Sequence, residues 1–161
     1  MANQQLGINI ELENWDEFAD AIQNIPKTFS KVMTQELSKV ALQAERYARQ
    51  LAPRDSGELE NSINASKVQQ QGNSFVVYVG TNQEYATYVH ELNSNRIGDK
   101  YDKGVRITGY YVNGRGQQTR NKPSVKGYQP GRKYLRNAIV LTDTHLETAM
   151  SNAIDRVFGE V

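Results

Sequence analysis

A helix-period run of apolar residues that ends at a proline constrains this chain more than any other feature. Val32, Met33, Leu37, Val40, Ala41, Ala44, Ala48 and Leu51 recur at intervals of three and four, which puts them on one face of a long amphipathic helix. Pro26 suits the first turn of that helix. Ala52-Pro53 ends it, because the residue before a proline is pushed out of helical geometry. Such a stripe has to be buried against something, and Ala41, Ala44 and Ala48 let a second element come close. Core packing is the plain reading of these alanines, and a groove for another molecule is the alternative.

The flanking sequence supplies partners for the helix. Asn14 can cap a short first helix, with Glu17 three residues on and Phe18, Ala21, Ile22 and Ile25 on one face. After Pro53, Ser62–Val68 interleaves Ile63 and Ala65 with polar residues, Gln71-Gly72-Asn73-Ser74 supplies a turn, and Phe75–Val79 reads as a strand ended by Gly80. Together these predict a β-hairpin. Tyr85, Tyr88, Val89 and Leu92 return to helical spacing. About forty residues rich in glycine and basic groups follow; within them Val105–Thr108 and Tyr110–Val112 can pair as a flap, with Asn113-Gly114 as a turn dipeptide. From Lys133, the residues Leu135, Ala138, Ile139, Leu146, Ala149, Met150, Ala153, Ile154 and Val157 restore a helical face. Thr144-His145-Leu146-Glu147 matches a capping box and predicts two helices meeting near Thr142.

The 161 residues fit one domain. The expected class is α+β: a short N-terminal helix and a long amphipathic one, a central antiparallel β-sheet, residues 96–132 inserted as a basic loop or flap, and a C-terminal helix packing on the sheet.

Several kinds of chemistry are excluded early. The chain has no cysteine, which removes disulfides, thiolate metal sites and thiol nucleophiles. Met1–Gln5 lacks the basic start and apolar run of a signal peptide, and the longest apolar run, Phe75–Val79, is far too short to span a membrane. His90-Glu91 would need a second histidine at Ser94 to make a zinc-protease helix. His145 lies at the expected helix start, where exposure is the simplest reading, and both histidines are read as structural. Asp55, Glu58 and Glu60 form the densest carboxylate group, but no calcium loop surrounds them, and a solvated turn is expected. Gly114-Arg115-Gly116 precedes no helix able to hold a pyrophosphate. No catalytic residue, cofactor or metal is therefore expected, and the chain is not read as an enzyme.

The stretch from Ala48 to Ile63, with Pro53, Asp55, Ser56, Gly57, Leu59, Ser62 and Ile63 in order, resembles the signature of the Hong Kong phage gene-ten family of tailed-phage neck proteins: Ala-Pro, Asp-Thr-Gly, Leu, Ser-Ile. Serine stands at Ser56 where the family usually has threonine. Pro53 ends the helix, Asp55 and Ser56 can satisfy backbone groups, and Gly57 permits a tight turn. A second element, Gly80 followed by Tyr85, Ala86, Tyr88 and Glu91, looks like the family's Val-Gly and Tyr-Ala-x-Tyr-Val-Glu, with His90 inserted before the acid. The glycine-threonine that usually follows is missing. Lys133–Ile139 resembles the family's C-terminal helix entry. The resemblance implies a compact α/β subunit without catalytic residues. It implies assembly as a homo-oligomeric ring around the phage axis, as a neck, head-tail connector or tail-completion component of the virion. Its implied partners are other phage neck or tail proteins, with no membrane, and synthesis in the host cytoplasm.

Charge supplies the remaining expectation. Arg96–Arg136 holds 11 of the 19 Lys and Arg but only two acids, a net +9 that leaves −8 for the rest of a chain whose total is +1. Arg96, Lys100, Lys103, Arg106, Arg115, Arg120, Lys122, Lys126 and Arg132, interleaved with Tyr110, Tyr111 and Tyr128, are the candidate contact residues. Cations neutralise phosphate and aromatic rings offer stacking surfaces, so non-specific contact with phage DNA fits. Docking to an acidic protein face fits as well, since tyrosine and arginine also enrich protein interfaces. A solvated insertion is the third reading. The alternative for the whole chain is a nucleic-acid-binding module that uses this segment. Neutralising Arg115, Arg120, Lys122 and Lys126 is expected to impair particle joining while leaving the isolated fold intact.

Overall fold

A computed structural model describes residues 6–9, 27–72, 74–91, 100–102, 105–107 and 117–159. The short helix expected from Asn14 lies outside the described residues. Helix α1 runs Lys27–Leu51, and every member of the predicted stripe is buried. Phe29, Glu36 and Tyr47 are buried beside them. Ala41, Ala44 and Ala48 are at most 2% exposed, so the small residues serve packing within the chain.

The element lying along α1 is α5, Tyr134–Phe158. The two helices are antiparallel. Phe29 of α1 meets Phe158 with ring centroids 6.1 Å apart, Glu36 accepts from Arg156 Nη1 at 2.8 Å, and Tyr47 Oη bonds His145 Nε2 at 3.0 Å. α5 contributes Ala138, Ala149 and Ala153, each at most 5% exposed, to the shared core. The C-terminal helix thus packs chiefly on α1 and only secondarily on the sheet.

Two expectations about this helix are corrected. There is no break near Thr142: α5 is continuous for 25 residues. Thr142 and Thr148 fold their hydroxyls back onto the carbonyls of Ile139 at 2.7 Å and Thr144 at 2.9 Å, which satisfies them without ending the helix. No glycine or proline interrupts the run. His145, expected to be exposed, is half-buried against Tyr47.

Short strands complete the body. The strand expected over Phe75–Val79 is split. β1 (Leu6–Asn9) and β2 (Asn64–Ala65) flank β5 (Tyr78–Thr81) in one antiparallel sheet, with Ile8 and Ala65 both paired to Val79. β3 (Gln69–Gln71) and β4 (Ser74–Val76) form a separate hairpin. Ser66 explains the split, because its backbone N–H donates to Tyr78 O at 2.7 Å while its hydroxyl accepts from Tyr78 N–H at 2.9 Å. A side chain thus replaces one rung of the ladder. Val77, between β4 and β5, is buried with Val40, Ala41 and Ala149.

Helices α2 (Glu58–Ser62) and α3 (Ala86–Glu91) bury Leu59 and Ala86 in the same core cluster. In the basic segment, β6 (Lys100–Asp102) pairs with β7 (Val105–Ile107), Tyr101 opposite Arg106. Val105–Ile107 is thus paired with the residues that precede it; Tyr110–Val112 and Asn113-Gly114 lie outside the described residues. Helix α4, Gln117–Asn121, follows.

Continuity of α5 makes a direct prediction. A capping threonine lost to alanine costs about 1 kcal/mol, whereas exposed alanine inside a helix is neutral or slightly favourable. Thr144→Ala is therefore expected to leave urea-unfolding stability unchanged or slightly raised; a loss of about 1 kcal/mol would mean a helix start at that point.

Candidate assembly surface

The C-terminal end of α1 exposes carbonyls that the helix itself cannot satisfy. Ala52 N–H still bonds Ala48 O at 2.8 Å, and Gly131 N–H donates to Leu51 O at 2.7 Å. The Lys122 ammonium donates to Arg49 O at 2.9 Å, to Ala52 O at 2.6 Å and to Glu60 Oε2 at 3.2 Å. Arg54 grips the same carboxylate through both nitrogens of one edge, Nε at 2.8 Å and Nη2 at 2.6 Å. Thr119 of α4 exchanges two hydrogen bonds with the Arg54 backbone, at 2.9 and 3.1 Å.

Arg54 and Lys122 hold the Glu60 carboxyl below its ordinary range, with the Arg54 hydrogen bond the largest cause and burial opposing it. Burial pulls Lys122 downward, and Glu60 opposes that shift. The carboxylate gains from the arrangement while the ammonium carries a desolvation cost, which its three acceptors offset. Lys122 is thus a correction to the expected contact residues: its side chain is 8% exposed. Glu60, expected in a solvated turn, is likewise tied into this network. Beside it opens a cleft of about 660 Å³ whose lining includes Gln50, Arg54, Gln118, Ser124 and Lys126.

The motif between α1 and the sheet divides into a packed half and an exposed half. Leu59, Ile63 and Ala86 are buried, and the Ser62 hydroxyl bonds both Leu59 O at 2.8 Å and Thr81 Oγ1 at 2.5 Å. Gly57 precedes α2 at φ 92°; a Cβ there would meet only Asn61 at 3.8 Å, so backbone conformation and not space calls for glycine. Ser56 Oγ accepts from Glu58 N–H at 3.4 Å. Gly80 lies in β5 between Gly7 and Asn64.

The outer half carries Asp55, Ser56 and Glu58, all exposed, with Pro53 half-buried. Tyr85 and Tyr88 stand in the same region, 42% and 50% exposed. Tyr85 is close enough to Glu58 and Asp55 that their charges add to burial in raising its phenol pKa. Glu91 is exposed, paired with Lys133 and with His90 Nδ1 at 2.7 Å. Arg136 N–H donates to His90 Nε2 at 3.4 Å, which makes Nδ1 the protonated nitrogen, donating to Glu91. His90 also lies edge-on to Tyr134, 5.3 Å between centroids. Both histidines are therefore engaged within the fold. Tyr134 is fully buried, and its hydroxyl lacks a partner among the described residues.

The remaining candidates do not form one cluster. Arg96, Lys103, Tyr110, Tyr111 and Arg115 lie outside the described residues. Lys100 and Arg106 are on β6 and β7. Arg120, Lys126 and Arg132 are exposed. Val125 and Tyr128 exchange backbone hydrogen bonds at 2.9 Å across Lys126-Gly127, both at positive φ, 47° and 88°. That turn sets the Lys126 ammonium 5.4 Å from the Tyr47 ring centroid and packs Tyr128 half-buried against the core. Residues 117–133 are therefore stitched to the body. Local spacing does not reveal Arg54 and Glu60 as partners of this segment's Thr119 and Lys122, because the pairs are more than sixty residues apart.

Among the described residues, no group of three or more acidic or histidine side chains could hold a metal, and no helix is long and apolar enough to cross a membrane. The architecture is that of a mixed α+β, mostly helical subunit with an exposed acidic and aromatic joint. Residues 16–91 match the family model described as "Bacteriophage HK97-gp10, putative tail-component". Over that span the chain is similar to the HK97-gp10-like family, and the match supports a bacteriophage structural protein, a component of the virion. No curated protein and no solved structure gives a significant match.

Removing the Lys122 ammonium leaves the Arg49 and Ala52 carbonyls without its hydrogen bonds and takes one of two cations from the Glu60 carboxylate. Lys122→Ala is expected to cost about 2 kcal/mol in urea unfolding, against about 0.5 kcal/mol or less for the exposed Arg120→Ala. Equal, small effects would show that the network holds nothing.

Acid should test the same contacts. Glu36, 3% exposed, is held below the usual value of 4.5, first by Lys39 and also by Arg156, as Glu60 is by Arg54. Because both folded values are depressed, their stabilisation is complete above 4.5 and disappears as pH falls below it. The melting temperature is expected to drop below pH 4.5, with a shallower drop in Glu36→Gln and Glu60→Gln.

Proposed function

We propose that this protein is a neck, head-tail joining or tail-completion component that assembles in copies around the phage axis and acts by binding rather than by catalysis. The observation that carries this reading is the form of the family-matched span. Its Leu59, Ile63 and Ala86 build the joint, while Asp55, Glu58, Tyr85 and Tyr88 are left at the surface. Tyrosines flanked by charge are typical interface residues, and an exposed acidic-aromatic face suits another neck or tail protein. Arg120, Lys126 and Arg132, exposed on a segment fixed to the body, favour non-specific contact with phage DNA as a second role of the same subunit.

A phage in which the gene is interrupted should accumulate filled heads and separate tails, and the protein should be found in purified wild-type virions by mass spectrometry. Tyr85→Ala with Tyr88→Ala should reproduce the joining defect with the subunit still folded. Normal infectious particles from the interrupted phage would refute the reading.

A further inference from the structure

The two long helices each turn a second face outward, and the two faces are opposite in charge. On α1 the exposed positions are Thr28, Lys31, Gln35, Lys39, Leu42 and Arg46, spaced by three and four. Leu42 is 62% exposed, more than any other large hydrophobic residue among those described. On α5 the outward stripe includes Val140, Asp143, Glu147, Ser151, Ile154 and Asp155, with Val140 47% and Ile154 40% exposed.

Arg46, Asp143, Glu147 and Asp155 have no ion-pair partner among the described residues, and Lys39 bonds Glu36 while remaining 68% exposed. Asp143 and Glu147 are also four apart on one helix face, a like-charge spacing that destabilises a helix standing alone.

Height along the bundle decides whether these faces can meet. Tyr47 lies beside His145 and Glu36 beside Arg156, so each step along α1 corresponds to one step back along α5. Arg46 is then level with residue 146, Leu42 with 150 and Lys39 with 153. Arg46 therefore stands at the height of Glu147, Leu42 at that of Ser151 and near Ile154, and Lys39 near Asp155. Arg136, the cation on the outer stripe of α5, lies beyond the height at which α1 ends. Copies related by rotation about an axis parallel to the helices have no shift along it. In such a ring complementary groups have to sit at similar height, and by this register Glu147 and Asp155 lie one and two residues, about 1.5 and 3 Å, from the levels of Arg46 and Lys39.

We infer that α1 of one copy packs on α5 of the next through these outer faces, Arg46 to Glu147 and Lys39 to Asp155 around Leu42, in a head-to-tail contact that repeats around a ring. The partner is a second copy of this chain. The inference rests on the ring assembly proposed above and names the surface that builds it.

The test uses the purified full-length chain in low salt, where surface ion pairs are least screened, with mass measured by sedimentation. The wild type is expected to self-associate. Lys39→Glu with Arg46→Glu, or Asp155→Lys with Glu147→Arg, should weaken association at least about tenfold, and all four changes together should restore it. Circular dichroism checks that each variant keeps its helices.

Because the chain lacks cysteine, Leu42→Cys and Ser151→Cys in one chain should give a ladder of disulfide-linked multimers on oxidation. Chains carrying one change each should give linked dimers when mixed. A wild type that stays monomeric at its solubility limit, association indifferent to charge reversal, or a missing ladder would each overturn the inference. The virion experiment is independent: a chain absent from virions that still forms the charge-reversible ring removes the neck role and keeps this surface.

Discussion

The end of α1 is the point on which the rest of the molecule depends. A helix that stops at a proline leaves its last carbonyls without partners, and burying them unpaired costs free energy comparable to several lost hydrogen bonds. Here Lys122 and Gly131 supply the donors. The second half of the chain is thereby fastened to the first, and α5 starts where it can run back along α1. Arg54 and Lys122 share the Glu60 carboxylate, so the turn that opens the sheet region is fixed by the contact that closes the helix.

From that point the pairing of α1 with α5 organises the body. Alanines on both helices let them approach, and larger side chains from β4, β5 and the stretch between them fill the remaining space. The buried acid Glu36 is paired with two exposed cations, Lys39 and Arg156, the second from α5. The packed side of the pair thus uses small and apolar residues with one ionic clasp, while the outward sides keep opposite charges. A subunit built this way is stable through its inner faces and has its outer faces available for neighbours.

Elements carried by a strong local period were legible in the sequence. The boundaries of α1 followed from the stripe and Pro53. The turn at Gly57 and the hairpin around Gly72 followed from residues that tolerate positive φ. The misreadings came where local signals competed with distant partners. Thr144-His145-Leu146-Glu147 has the form of a helix start, but the neighbouring helix covers that region and Tyr47 takes up His145, so the helix continues. Ser66 replaced a ladder rung with its side chain, which alternation alone does not reveal. Lys122 was grouped with exposed basic residues because charge counting along a chain carries no information about burial.

By itself, then, the sequence determined the helix stripe, its stop, the turns at Gly57 and Gly72, the absence of thiol chemistry and the similarity to the HK97-gp10-like family over residues 16–91. These depend on spacing and on residue type within a few positions. Only the tertiary structure decided which cations are structural and which face outward, that α5 is one helix, and that the charged outer stripes of α1 and α5 stand at matching heights. Those features depend on pairs such as Glu60 with Lys122 and Tyr47 with His145, separated by 62 and 98 residues. At such separations nothing local records which groups meet, and the desolvation and packing that select them exist only once the chain has closed on itself.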